Sequence, residues 1–255
     1  MSEKQELSQN LLMEGERIDD LQRGGYRIIQ NPAFFCFGID AVLLADFALA
    51  HASEKVLDLC TGSGVIPTLM LAKTKSRCFT GLELHAQTAE MAQRSVHLNG
   101  IEDELRILQG DLREIRSLFT GGSFDVVTCN PPYMPVGHGL TKSSGDPLTI
   151  ARHEVCASLE DVVSAASWTL REQGRLYMVH RPFRLAEIFR MLGKYRLEPK
   201  RMRFVYPMAD RDPNMVLIEA RKGAAPQVNV EPPLIVYEKP GVYTGEILEI
   251  YGMSN

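Results

Sequence analysis

The run Asn130-Pro131-Pro132-Tyr133 combines residue types that suit the binding of a planar amino group. Two successive prolines make a stiff, extended backbone without N–H donors, so the neighbouring carbonyl groups stay available to a ligand. The Asn130 side-chain oxygen and the Pro131 carbonyl oxygen can together accept both hydrogen bonds of an exocyclic amine or a primary amide. Tyr133 adds a flat ring on which a base or an amide can stack. This motif predicts chemistry at an amine nitrogen.

A second constellation, DLCTGSG from Asp58 to Gly64, predicts a cofactor turn. A short apolar strand ends in glycines that open a helix, and the N–H groups at a helix start bind carboxylates. Glu83 follows the next predicted strand, where an acid can accept both hydroxyls of a ribose, and Asp111 follows the third. Pro67 replaces the third glycine of the dinucleotide fingerprint, which disfavours a nicotinamide cofactor. The alternative is that Glu83 and Asp111 only cap helices.

The scaffold that must position these residues is visible as an alternation of strands and helices from Lys55 onwards. This alternation is typical of a parallel sheet covered on both faces, an α/β fold. Two late β-type runs, residues 197–206 and 214–221, are expected to pair antiparallel at one edge of the sheet. The residues from 134 to 147 lack periodicity, and we expect a mobile loop there.

The two ends of the chain are expected to be small additions to this core. Tyr26–Ile29 and Phe34–Phe37 are expected to form a hairpin across Asn31-Pro32, and Asp40 to cap a buried helix. The predicted division is therefore an N-terminal arm and hairpin at 1–36, a main domain at 37–222 and a tail at 223–255. We expect the tail to be rich in β-structure and to pack on the same domain.

Composition indicates a globular protein with a single core. The chain has 255 residues, of which 45% are hydrophobic and 24% are charged, which is close to the average for globular proteins. No apolar run approaches the roughly 20 residues of a membrane helix, and the N-terminus lacks a secretory signal. A cytoplasmic protein without membrane attachment is expected. Five scattered cysteines lack metal-ligand spacing, so we expect reduced thiols and no metal.

Charge is distributed unevenly along the chain. The net charge is −4, but residues 171–222 contain 13 Lys and Arg against 6 Asp and Glu. A polyanion would meet this segment, which carries a local charge of +7, before the rest of the molecule. An ordinary solvated surface explains the same excess equally well.

Together, DLCTGSG, Glu83, Asp111 and NPPY resemble the Rossmann-like amino-methyltransferases, which methylate adenine or cytosine amines, guanine N2 or glutamine amides. Longer stretches resemble the bacterial tRNA(Val) adenosine N6-methyltransferase family: Phe37 to Ala45, Ala151 to Glu154, 181 to 203 and 237 to 251. One departure is Cys60, which stands where the general class often has a glycine.

The resemblance implies a Rossmann-like fold with a mostly parallel seven-stranded sheet, S-adenosyl-L-methionine as cofactor and tRNA as partner. It implies methylation of the adenosine 3′ of the anticodon, at position 37. The amine site would comprise Asn130, Pro131, Pro132 and Tyr133. The cofactor site would comprise Phe37, Asp40, Asp58, Cys60, Thr61, Gly62, Gly64, Glu83, Leu84, Asp111, Leu112 and Asn130. The predicted RNA-binding residues are Arg181, Arg184, Lys200, Arg201 and Arg203.

Other functions remain open on the same residues. A protein glutamine N5-methyltransferase or an rRNA guanine N2-methyltransferase would present a similar amine or amide to Asn130. A non-catalytic RNA-binding module that keeps the pocket is a different class, and the intact Asn130 argues against it. His153 is expected to belong to a structural hydrogen-bonding cluster more than to catalysis, and the oligomeric state stays open.

Overall fold

A computed structural model of the chain describes residues 11–34, 36–131 and 157–253. It begins with an antiparallel hairpin of β1 (Arg17–Asp20) and β2 (Arg27–Gln30). Ile28 and Ile29 of β2 are completely buried. The hairpin therefore forms part of the apolar core.

The centre of the fold is a mostly parallel sheet. Its long strands are β3 (Lys55–Leu59), β4 (Cys78–Glu83), β5 (Leu105–Gln109), β6 (Phe124–Cys129), β7 (Leu170–His180), β8 (Leu197–Tyr206) and β9 (Met215–Lys222). They lie in the order β8-β9-β7-β6-β3-β4-β5. The pairs among β3 to β7 are parallel, and β9 is antiparallel to both β7 and β8. The predicted parallel sheet with an antiparallel edge is confirmed.

Helices cover both faces of this sheet. They are α1 (Ile39–Phe47), α2 (Val65–Lys73), α3 (Ala86–Asn99), α4 (Ile115–Leu118), α5 (Leu159–Thr169), α6 (Leu185–Lys194) and α7 (Gly245–Ile250). A capping box begins α5: the Ser158 hydroxyl accepts from the Asp161 N–H at 3.1 Å, and the Asp161 carboxylate accepts from the Ser158 N–H at 2.9 Å. Such a box satisfies N–H groups that a helix start leaves without partners.

The sheet divides the apolar core into two clusters. One cluster packs α1, α2 and α3 with the hairpin and the tail, and the other packs the first turns after β5 together with α5 and α6. Alternate residues of each strand face opposite clusters, as in β6, where Val126 belongs to the first and Val127 to the second. This alternation follows from the two-residue period of a strand.

The tail adds short elements beyond the long strands. β10 (Asn229–Val230) and β11 (Leu234–Ile235) both pair parallel with β8, and β12 (Tyr237–Lys239) pairs with β13 (Val242–Tyr243). The expected β-rich tail was wrong in one respect, because the segment after β13 is the helix α7. The Thr244 side chain accepts from the Ile247 N–H at 3.4 Å and caps this helix, and Ile247 and Ile250 are buried at helical spacing.

The expected hairpin partner was also wrong. β2 pairs with β1, because Gly24 and Gly25 adopt left-handed backbone and turn the chain between the two strands. Of the expected partner, the described residues Phe34, Cys36 and Phe37 lie in no strand. The Asn31 side chain then accepts from the Ala33 N–H at 2.9 Å in a local turn that leads the chain away from β2.

The prediction that Asp40 caps α1 was wrong. α1 begins at Ile39 with Gly38 at its N-cap, and Asp40 lies inside the first turn. Asp40 still places a negative charge near the positive end of the helix dipole.

No helix in the described ranges is long and apolar enough to span a bilayer.

Candidate functional site

Parallel pairing brings the predicted site residues to one edge of the sheet. Because β3, β4, β5 and β6 run in the same direction, their carboxyl ends lie side by side. Asp58–Gly64 leaves β3, Glu83 ends β4, Asp111 follows β5 and Asn130 follows β6. Ligands of open α/β sheets bind at this edge.

Asp58 fastens the turn after β3 to the neighbouring strand β6. It is fully buried, and its two carboxylate oxygens accept from the Thr61 hydroxyl at 2.7 Å and the Thr128 hydroxyl at 2.6 Å. Burial raises the pKa of this carboxyl group to about 7, against the lowering effect of both hydroxyl groups. These contacts indicate that Asp58 orients the turn, whereas a direct contact from Asp58 to the cofactor remains a prediction.

The backbone of the turn opens towards solvent at Gly62. Cys60 and Gly62 both have positive φ, of 57° and 55°. A Cβ atom at Gly62 would meet no atom within 4 Å, so the backbone there leaves room for a ligand. The same conformation costs about 1 to 2 kcal/mol at the non-glycine Cys60, which explains why a glycine suits this position in the general class.

Glu83 is held at the same turn by backbone N–H groups. One carboxylate oxygen accepts from the Gly62 N–H at 2.9 Å and the other from the His85 N–H at 3.0 Å. The residue is 7% exposed. A carboxylate oxygen has more than one acceptor direction, so Glu83 can still accept from a pair of ribose hydroxyls. Leu84 follows directly and is half-buried.

Asp111 shows the capping contact that the alternative interpretation predicts. It accepts from the Arg113 N–H at 2.9 Å at the start of a 3₁₀ turn, Leu112–Glu114, in which Leu112 is buried. The Arg113 guanidinium also bonds the carboxylate and lowers its pKa. A contact from Asp111 or Leu112 to the cofactor's adenine remains a prediction.

Asn130 follows β6 directly and lies half-buried at the edge, and Pro131 after it is buried. Leu59 pairs with Cys129 in the register of β3 and β6, so Asn130 leaves its strand beside the cofactor turn. Pro132, Tyr133, the predicted mobile loop at 134–147 and His153 lie outside the described residues.

Phe37 and Asp40 lie at the start of α1. Phe37 donates its backbone N–H to the buried Gln30 side chain at 3.0 Å and lines a small cleft together with Tyr251 of the tail. A contact from Phe37 or Asp40 to the cofactor or the target base remains a prediction.

The predicted RNA-binding residues of β8 are engaged within the chain. Arg201 bonds Glu219 at 2.9 Å and Glu231 at 3.0 Å, and its guanidinium lies 3.8 Å from the centre of the Phe47 ring. Lys200 donates to the Ala225 carbonyl at 3.1 Å. Arg203 donates to the Pro232 carbonyl at 2.9 Å and bonds Glu246 at 2.8 Å. These contacts join β8 to its neighbours and to the tail, which weakens the case for RNA binding by these side chains.

Arg181 and Arg184 lie instead at the carboxyl end of β7, next to β6. Between them stands Phe183, which is 75% exposed and was not singled out by the sequence. The available signal was an aromatic residue flanked by two arginines just after a predicted strand. Arg181 donates to the Asn214 carbonyl at 3.0 Å, and Arg184 bonds Glu187 at 2.6 Å. Phe183 adds an exposed ring to the edge that carries Asn130.

Comparison with known proteins gives a consistent result. The family model of the methyltransferase small domain matches residues 25–205 of this chain. A tRNA1(Val) (adenine(37)-N6)-methyltransferase of Porphyromonas gingivalis strain W83 is 28% identical over 88% of this chain and 90% of its own length. A protein of the same name from Pasteurella multocida is 34% identical over 59% of this chain and 62% of its own. A predicted O-methyltransferase structure from Agrobacterium tumefaciens superposes with a TM-score of 0.67 at 22% identity, covering 84% of this chain and 97% of that one.

Proposed function

The chain belongs to the methyltransferase small domain family, and we propose that it methylates N6 of an adenosine in tRNA, at position 37 of a tRNA(Val). The observation that carries this proposal is the position of Asn130 at the end of β6, beside the turn that leaves β3. The relatives named for this reaction match over most of the chain, which supports the same substrate.

The residues of the turn fit the cofactor S-adenosyl-L-methionine. The open backbone at Gly62 admits a ligand, and the fixed Glu83 carboxylate suits its ribose hydroxyls. Asp58 and Thr61 hold the turn in shape. When bound, the cofactor supplies a methyl group on a positively charged sulfur, an electrophile that needs no strong general base at the acceptor.

Asn130 and Pro131 would act on the substrate amine. The Asn130 side-chain oxygen and the Pro131 carbonyl oxygen accept the two N–H hydrogens of the adenine amine. This pairing fixes the nitrogen and favours a pyramidal geometry in which its lone pair is available. Tyr133 would stack on the base, in the role that its place in the motif predicts.

The charge distribution favours RNA over a protein substrate. The segment 171–222 carries 13 basic and 6 acidic residues, and it supplies Arg181, Phe183 and Arg184 at the edge beside Asn130. An excess of basic residues together with an exposed aromatic ring is suited to a polyanion that carries planar bases. A glutamine side chain would gain nothing from either feature.

The test uses labelled S-adenosyl-L-methionine with unmodified total tRNA in one reaction and a release-factor protein in another. We expect label in tRNA that nuclease removes and protease leaves, with N6-methyladenosine as the labelled nucleoside by mass spectrometry. The Asn130→Ala variant serves as the control for contaminating activity. Label that resists nuclease and is lost to protease would favour the glutamine substrate, and labelled N2-methylguanosine would favour guanine.

The position of the modified nucleoside needs a second measurement. Fragments of purified tRNA(Val) are sequenced by mass spectrometry after the reaction, alongside tRNA(Val) transcripts in which the adenosine 3′ of the anticodon is replaced by guanosine. We expect methylation of the first and not of the second. Methylation of both would place the target elsewhere in tRNA.

A further inference from the structure

Cys60 and Cys129 approach each other between the cofactor turn and the strand that leads to Asn130. Leu59 and Cys129 are paired residues of the parallel strands β3 and β6. Neighbouring strands lie about 4.8 Å apart, and Cys60 is the residue after Leu59. The two cysteines therefore stand at adjacent strand ends.

The backbone of Cys60 directs its side chain towards Cys129. Leu59 and Cys129 both face the cluster that contains α5 and α6. In a regular strand the next residue would face the opposite side of the sheet. Cys60 has a φ of 57° and packs against the same cluster as Cys129. The left-handed conformation thus brings the two thiols to the same side.

The two thiols are close enough to interact directly. The pKa of the Cys129 thiol is raised well above its usual value. Burial is the larger cause, and a hydrogen bond with the Cys60 thiol is the next. Cys129 is completely buried, whereas Cys60 is half-buried in the turn. An oxidant from solvent would therefore reach Cys60 first.

A non-glycine residue in left-handed backbone is a strained feature, and such strain is often retained for a functional reason. We infer that Cys60 and Cys129 form an oxidation site at which a peroxide converts the two thiols into a disulfide, so that cofactor binding is lost reversibly. The inference rests on the cofactor turn of the proposed function and does not depend on the identity of the methylated substrate.

The reaction proceeds in two balanced steps. The Cys60 sulfur attacks one oxygen of hydrogen peroxide, the O–O bond breaks, and one water leaves as Cys60 becomes a sulfenic acid. The Cys129 sulfur then attacks the Cys60 sulfur, the S–O bond breaks, and the hydroxyl group takes the Cys129 proton to leave as a second water. Two thiols lose two electrons and two protons in total, and the peroxide is reduced to two waters.

The disulfide would change the site because a disulfide permits only a narrow range of distances and dihedral angles. A covalent S–S bond of about 2.05 Å replaces a looser contact between two thiols. Cys60 precedes Thr61 and Gly62 in the turn, and Cys129 precedes Asn130. A shift at Cys60 would therefore move the Gly62 N–H that bonds Glu83, and a shift at Cys129 would move Asn130.

The experiment treats the full chain with hydrogen peroxide, blocks free thiols by alkylation and identifies linked peptides by mass spectrometry. We expect the peptides of Cys60 and Cys129 to be joined, at peroxide concentrations that leave Cys36 and the exposed Cys78 largely alkylated. The Kd for S-adenosylhomocysteine should rise by about tenfold or more and return after dithiothreitol. Neither readout requires the RNA substrate, so a failure here is distinct from a failure of the proposed function.

Variants separate the pair from other thiols. In Cys129→Ala the linked peptide should be absent, and stronger peroxide treatment should oxidise Cys60 beyond reversal by dithiothreitol. Cys78→Ala should form the linked peptide as the natural chain does. Thermal unfolding tests whether each variant is folded. If Cys129→Ala does not fold, Cys60→Gly provides a second variant in which the linked peptide should be absent. Unlinked Cys60 and Cys129 peptides under conditions that oxidise Cys78, or a reversible loss of binding that persists in Cys129→Ala, would overturn the inference.

Discussion

Asn130 is the residue whose proposed role separates cofactor binding from turnover. Its proposed hydrogen bond is made to the substrate amine, while the proposed cofactor contacts come mainly from β3, β4 and the turns after them. A side chain that orients the reacting nitrogen acts most strongly where the geometry is strictest, in the transition state.

We therefore expect Asn130→Ala to lower kcat by about 100-fold or more, with the Kd for S-adenosylhomocysteine changed by less than about twofold. Steady-state kinetics with tRNA and calorimetric titration of the cofactor measure the two effects. Asn229→Ala, an exposed asparagine in the edge strand β10, is the matched control. An equal loss of turnover and cofactor affinity would contradict the role assigned to Asn130.

Asp58 gives the folded protein a pH dependence. Because burial raises its pKa from 3.8 to about 7, its stabilising contribution is complete below the unfolded pKa and is lost as the pH rises through the folded pKa. From about pH 5.5 to about pH 8 this group should reduce the free energy of unfolding by about 2 kcal/mol. Denaturant unfolding of the natural chain and Asp58→Asn at both pH values measures the difference. Parallel pH profiles in the two proteins would refute the shift.

Phe183 offers a test of the RNA-binding edge that is independent of charge. Stacking of one base on an aromatic ring contributes about 1 to 3 kcal/mol, so Phe183→Ala should raise KM for tRNA by about tenfold and leave the cofactor Kd unchanged. Phe183→Trp should restore KM. Phe189→Ala removes another exposed ring, on α6, and serves as the control. The same KM in all three variants would exclude a stacking role for Phe183.

In strand β8, contacts within the fold argue against the RNA-binding role that the sequence predicts for its basic residues. Its arginines and lysine suggest a surface for a polyanion, but the antiparallel register with β9 places Arg201 opposite Glu219. The tail then adds Glu231 to the same guanidinium. Two acidic partners neutralise the charge locally and fix the side chain, so its principal effect is to join β8 to β9 and the tail.

Arg201→Ala should reduce the free energy of unfolding by about 2 kcal/mol, because the partly buried Glu219 and Glu231 lose their cation. The exposed pair of Arg196 with Glu172, at 3.7 Å, should contribute less than about 0.5 kcal/mol, so Arg196→Ala is the control. Urea unfolding measures both. If Arg201→Ala leaves stability intact and instead makes tRNA binding less dependent on salt, the residue contacts RNA.

Local signals were sufficient for most individual elements. The end of α3, Ala86–Asn99, is visible in the sequence, because Asn99-Gly100 is a strong stop signal and Gly100 adopts a φ of 62°. The short apolar run Phe124–Cys129 likewise indicates β6, the strand that leads into Asn130. Both features depend on residues close together in the chain.

Features that depend on distant residues could not be predicted in this way. Nothing near Arg201 identifies Glu219 as its partner. The β1–β2 hairpin was missed for another reason, since Gly24-Gly25 lies just before β2 and is a turn signal that the prediction did not use. The capping contact of Asp111 is the opposite case, because Arg113 is only two residues away and an Asp-x-Arg sequence is a visible signal. The left-handed backbone of Cys60 was indicated only indirectly, because Cys60 stands where related methyltransferases often have a glycine.

At the scale of the whole molecule, the tail completes the core. Residues Leu234, Val236, Ile247 and Ile250 are buried against the face that carries α1 and α2. Arg23, just after β1, donates to the Ile250 carbonyl at 2.9 Å, so the two ends of the described chain are joined. The tail is thus expected to fold together with the sheet.

Ile247→Ala should reduce the free energy of unfolding by about 2 to 5 kcal/mol, because it leaves a cavity between α7 and the core. Val242→Ala, at a site that is 39% exposed, should change it by less than about 0.5 kcal/mol. Unfolding of both variants followed by a probe of the sheet tests whether the tail and the sheet unfold together. A separate early transition for the tail in the natural chain would contradict a shared core.

The division of the interior by the sheet has a further consequence for how this chain tolerates change. Substitutions buried on opposite sides share few neighbours, so their energetic costs should add to within about 0.5 kcal/mol. The side sealed by the tail can then diversify without compensating replacements on the side behind α5 and α6. Additivity is lost where residues of both sides are neighbours on one backbone, as they are along each strand of the sheet.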